Sequence, residues 1–245
     1  MKTIVTFIEE QKQEFATLPL FVFMQDTNIN PRQRLIFAPC MAYFIMSFGD
    51  INKYILRSEG STDKIQDMVN RYTYEDENHW PWFLKDIEIL GFDPKWNFTQ
   101  ALRFIWGEQT KISRQLAYQI AGYTLQADSA IKALVIQVLE ATADVFFRVS
   151  NQIALELQAI TNKEYLFFGE THVCEEIGHV ISTANGKDFL TEIELTDSQR
   201  QQAIEVVEKV FQVFREWTYE LLAYANTHNL EPGNNESEAN LMVCV

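Results

Sequence analysis

The stretch DSAIKALVIQVLEATADVFFRVSNQIALEL, running from Asp128 to Leu157, decides the fold class. Its thirty residues contain no glycine or proline, open on an aspartate able to cap a helix, and repeat apolar residues at three- and four-residue intervals. Strands rarely exceed about 10 residues, so a stretch of this length without a breaker reads as one long helix. Its neighbours read the same way.

Towards the N-terminus, Gln109 to Leu125 is a helix with Gly122 near its end, and Asn97 to Gly107 is a shorter one. Ser61, Thr62 and Asp63 offer caps for a helix carrying Ile65, Met68, Val69 and Tyr72. That helix is expected to continue through His79 and a kink at Pro81 to Leu90, where Gly91 stops it. Another starts near Asn30, with Pro31 in its first turn, and runs to about Ile55 with a bend at Pro39. The first begins at Thr3 and is broken or kinked at Pro19. Towards the C-terminus, Asn162 to Ser182 reads as a helix, and Thr196, Asp197 and Ser198 open the last one, which reaches about Thr227. Residues 229–245 read as a flexible tail that ends in the apolar run Leu241 to Val245. With no repeat and no linker, the expectation is an all-α, single-domain bundle of seven or eight helices over residues 1–228.

Composition agrees with this. Among 245 residues there are only 9 glycines and 6 prolines, too few for the turns of a β-sandwich or barrel. A formal charge of −14 repels nucleic-acid phosphates and anionic membrane, so neither is expected as a partner. Cys40, Cys174 and Cys244 are isolated, which suggests neither a disulfide framework nor a thiolate zinc site. No stretch reads as the 18 or more apolar residues of a spanning helix, and a cytoplasmic location is expected.

The chemistry is concentrated in the histidines. Three of the four fall in two short stretches rich in carboxylates. In His172-Val173-Cys174-Glu175-Glu176-Ile177-Gly178-His179, the spacing puts His172, Glu176 and His179 within about 60° of one helix face. In Tyr74-Glu75-Asp76-Glu77-Asn78-His79, Glu75 stands one turn before His79, Asp76 is the neighbour that would substitute for it, and Glu77 points away. Glu140, on the long helix, shares a stripe with Ala133, Ile136, Gln137, Ala143 and Phe147, and a carboxylate on such a stripe needs a partner. Asp144, one turn on, could support a ligand from behind. Together these residues offer six ligands for two metal ions. Imidazole with carboxylate suits iron, manganese or zinc. Each motif alone also fits a solvated or internally paired helix face.

The order Glu75, His79, Glu140, then His172-x3-Glu176-x2-His179 resembles the haem-oxygenase-like (TenA/PqqC-like) helical superfamily. Within it, the pattern is similar to the non-haem di-iron oxidases and their CADD-like branch. The resemblance extends over most of residues 5–225. It implies two iron ions, with manganese or a mixed pair as variants, held by those six residues. It also implies dioxygen, a small hydrophobic or aromatic substrate, an external electron donor and a homodimer. Branch members that oxidise an internal tyrosine need a nearby lysine, and segment 145–158 contains none. Two other readings stay open: a metal-free enzyme of the same fold in cofactor metabolism, and an interaction protein that docks through its acidic surface or tail.

Overall fold

The computed structural model describes residues 1–230 except 180 and 182; within its helices the side chains of 176–178, 184, 185, 187 and 188 fall outside the description. Among the described residues every regular element is helical, as the periodicity demands. In chain order these are α1 (Lys2–Phe15), α2 (Pro19–Gln25), α3 (Ala42–Ile51), α4 (Lys64–Asp76), α5 (Trp80–Leu90), α6 (Phe98–Ile105), α7 (Lys111–Thr124), α8 (Ser129–Thr161), α9 (Glu170–Gly178), α10 (Ala184–Glu192) and α11 (Asp197–Thr227). The expected count is close. The extra elements are short ones, made where a proline or a turn splits a longer run.

The long helix α8 is the axis. Asp128 caps it, its Oδ1 accepting from the Ile131 amide at 2.9 Å, and its 33 residues span roughly 50 Å. From Ala130 to Thr142 every residue of α8 is buried, so neighbours enclose it on all sides rather than along one stripe. Those neighbours are α1, α2, α4, α7, α9 and α11. Helix α11 starts on a capping box between Thr196 and Gln199 and contributes Val210, Phe211, Phe214 and Trp217 to the core.

Several expected boundaries move, each for a local reason. Pro39 lies inside the 3₁₀ turn Ala38–Met41 rather than bending one continuous helix. The run closes on a π-helical turn, Asn52–Leu56. The whole segment Gln33–Leu56 is long and apolar enough to qualify as a membrane span by length and composition, where none was expected from the sequence. Half of its most apolar window is buried within the bundle, with α3 packed on α7. The segment 162–169 is irregular rather than helical, and α9 begins only at Glu170. Asn162 takes φ 55°, the left-handed conformation that ends α8.

The break that matters most lies between α4 and α5. Rather than running through His79 with a kink, the helix ends at Asp76, and a new one starts at Trp80 with Pro81 in its first turn. Proline has no N–H for a preceding carbonyl and its ring clashes with the turn before it, so a fresh start costs less than a kink here. Gly49 of α3 lets the break pack closely. A Cβ there would stand 2.8 Å from the Glu77 carbonyl oxygen.

Candidate metal centre

Three imidazoles and two carboxylates meet beside the middle of α8. The break after α4 turns Asp76 and His79 inward together, and His79 Nδ1 lies 2.7 Å from Asp76 Oδ1. Helix α9 carries His172, and the ligand atoms of Asp76, His79 and His172 all lie within 4.8 Å of one another. His179 follows the end of α9. Its Nδ1 lies 3.2 Å from Glu140 Oε1, while Gln137, one turn earlier on α8, donates to the Ile181 carbonyl at 3.2 Å. The two groups adjoin, because the His79 ring stacks on His179 with centroids 5.8 Å apart and meets His172 edge-on at 4.7 Å.

Of the six residues expected as ligands, His79, Glu140, His172 and His179 are brought together. Glu75 is exposed and the buried carboxylate is Asp76, although Glu75 stays near enough for its charge to act on His179. The reason is the helix break. Glu75 would share a face with His79 only if the helix continued, whereas the turn at Glu77 and Asn78 brings Asp76 round to the imidazole. Pro81 is the sequence signal for that break. Glu176 lies on the backbone of α9, but its side chain falls outside the described residues. Asp144 does not support the site and instead pairs with Lys12 at 2.7 Å and Arg148 at 2.6 Å on the surface. Cys174 is exposed, as its place on the helix suggests, and Cys244 lies outside the described residues.

Hydrogen bonds behind these side chains fix their orientation. Tyr72 donates to Asp76 Oδ2 at 2.9 Å. A carbonyl oxygen can only accept, so the 2.9 Å contact of His172 Nδ1 with the Phe167 carbonyl puts the ring proton on Nδ1 and the lone pair on Nε2. His179 has the same tautomer if its Nδ1 donates to Glu140. Both rings thereby present Nε2, the arrangement that outer hydrogen bonds produce in metal-binding histidines.

Burial and charge set the protonation states. Burial, with His79 alongside, pushes His172 down to about 3, so the ring is neutral at pH 7. For His179 burial acts downward, but the hydrogen bond to Glu140 and the charges of Glu140, Asp76 and Glu75 outweigh it, and the ring is held above its ordinary value. For Asp76 burial acts upward, yet the hydrogen bond from His79 and the charges of the three histidines leave its carboxyl below the usual range. Buried carboxylates beside imidazoles therefore favour positive charge within the cluster.

A cavity of about 100 Å³ opens from the cluster towards α2, α3 and α11. Asp76, His79, Glu140 and His172 line its polar end, and side chains such as Phe44, Phe146, Phe214 and Trp217 line the rest. Among the described residues no lysine or arginine lines it. Glu77, assigned from the sequence to the outward face, lines the cavity and pairs with Arg57 at 2.5 Å. Trp82 stacks on His79 at 4.8 Å, and Phe147 and Phe167 lie 3.9 Å and 4.8 Å from His172, so aromatic rings screen the imidazoles from water. No family model matches the chain, and no curated protein does.

Proposed function

We propose that the chain is a non-haem dimetal oxidase or oxygenase of the haem-oxygenase-like kind, acting with dioxygen on a small apolar or aromatic molecule. Iron is the expected metal, with manganese or a mixed pair as variants. The observation that carries the reading is the meeting of three buried imidazoles and two buried carboxylates, of which Asp76, His79, Glu140 and His172 line one apolar cavity.

The donor set fits divalent iron or manganese: nitrogen and carboxylate oxygen without thiolate, buried, and biased towards positive charge. Asp76, His79 and His172 would hold one ion, and Glu140 and His179 the other. Glu176 is the sixth ligand that the sequence offers. Two iron ions in this place would supply dioxygen activation and electron transfer. Asp76 accepts a hydrogen bond from the Tyr72 hydroxyl, which holds its second oxygen in place. Trp82, Phe147 and Phe167 exclude water from the histidines. The aromatic wall takes up the apolar body of the substrate and leaves its reactive group at the polar end. For an oxygenation, RH, dioxygen, two electrons and two protons give ROH and water, so an external electron donor is required.

Metal analysis of purified protein reconstituted with ferrous iron or manganese, with anomalous scattering at both edges, tests the reading. Two ions per chain are expected at these residues. Asp76→Asn is expected to lose metal. Wild-type protein that takes up neither metal overturns the proposal.

A second reading, a metal-free enzyme working by acid and base, draws on His179, which its contact with Glu140 makes more basic than a free imidazole. Turnover that survives chelation and is lost in His179→Gln would favour it.

A further inference from the structure

We infer that Asp86, with Ser150, is a positioning residue for His172, acting through a peptide group that joins the carboxylate to the imidazole. Asp86 is on α5, fully buried and distant in sequence from every proposed ligand. Its Oδ1 accepts from the Leu166 amide at 2.9 Å, and its Oδ2 from the Phe167 and Phe168 amides at 2.9 and 3.0 Å. Three consecutive N–H groups of the irregular segment before α9 thus converge on one carboxylate. The buried Ser150 hydroxyl, from α8, donates to the Phe168 carbonyl at 3.0 Å and ties the same segment from the other side.

The link to the imidazole is a matter of covalent structure. The Phe168 N–H and the Phe167 C=O belong to one peptide group. Its N–H end points at Asp86 and its C=O end accepts from His172 Nδ1 at 2.9 Å. A negative charge at the N–H end polarises the peptide and makes the carbonyl a stronger acceptor. That in turn holds the proton on Nδ1, aims Nε2 into the cluster and raises its basicity, as a carboxylate bonded directly to a metal-binding histidine does. Gly169 completes the turn. A Cβ there would fall 2.1 Å from the Tyr165 carbonyl oxygen, so the chain closes this tightly only with glycine.

The functional consequence rests on the metal-centre reading; the effect on the ring does not. The test is therefore made first on metal-free, ¹⁵N-histidine-labelled protein, with His172 assigned by its absence from His172→Gln. In the wild type, His172 is expected as the Nδ1–H tautomer. Asp86→Asn keeps one acceptor oxygen and turns an NH₂ towards an amide N–H, so a growing Nε2–H share is expected. In the same variant, affinity for cobalt(II), followed by its visible absorption, is expected to fall about 10- to 100-fold. If Asp86→Asn does not fold, Ser150→Ala is measured in its place, with a smaller shift towards Nε2–H expected. A folded variant with the wild-type tautomer overturns the inference, even if its melting temperature drops. If wild-type protein binds no cobalt, iron or manganese, yet Asp86→Asn still shifts the His172 tautomer, the metal reading alone is overturned.

Discussion

His172 is where burial and chemistry are most tightly joined. A ring protonated only near pH 3 in the folded chain has an ordinary pKa, near 6.5, in the unfolded one. As pH falls, the unfolded chain takes up that proton first, so the contribution of this residue to stability is complete above pH 6.5 and is lost on the way to pH 3. Between pH 7 and 4, metal-free wild-type protein should lose roughly 3 kcal/mol more unfolding free energy than His172→Gln. Urea unfolding at the two pH values in the presence of chelator measures this, and equal losses would contradict the neutral buried ring. Asp86 runs the other way. Burial, opposed by its three amide hydrogen bonds, leaves its carboxyl at about 6, so it releases its penalty as pH falls from about 6 towards 4. Comparing variants at His172 alone keeps the two effects apart.

At the scale of the elements, two interruptions build the site: the break between α4 and α5, and the irregular segment before α9. Gly169→Ala tests the second. Its added methyl meets backbone rather than a flexible side chain, so the turn must open. A loss of about 1–3 kcal/mol in denaturant unfolding is expected, as for overpacking elsewhere, together with weaker cobalt binding through His172. Unchanged stability would mean that the turn has room the structure does not show. Gly49→Ala, whose methyl would press on the Glu77 carbonyl, should likewise weaken cobalt binding at the proposed metal site while leaving the bundle helical by circular dichroism.

For the whole molecule, metal binding and folding should be linked. The proposed ligands come from α4, the α4–α5 turn, α8, α9 and the residue after α9, so a bound ion would fasten parts that only the folded chain brings together. A free metal concentration of 100 times Kd should add about 2.7 kcal/mol of stability. For a chain of this size that is a rise of about 5–10 °C in Tm. Thermal unfolding with and without ferrous iron under anaerobic conditions reads it directly. The rise should be lost in His172→Gln. A Tm indifferent to metal in the wild type would count against a resident ion.

The helical class, the long α8 with its Asp128 cap, the α11 start at Thr196 and four of the proposed ligands were all legible in the sequence. Each depends on local rules: periodicity, capping, and the tendency of a carboxylate on an apolar run to seek a partner. That Asp76 rather than Glu75 is the buried carboxylate was not legible, because it depends on whether a helix kinks or restarts at Pro81. In the structure the helix restarts, and Gly49 of α3 packs closely against the break. The amide clamp at Asp86 left no trace in spacing either. Its three donors lie some 80 residues away and are brought to the carboxylate only by packing. Local sequence specifies which side chains a helix can offer. Which of them face one another depends on the angles and breaks between helices, and those are set by the core as a whole.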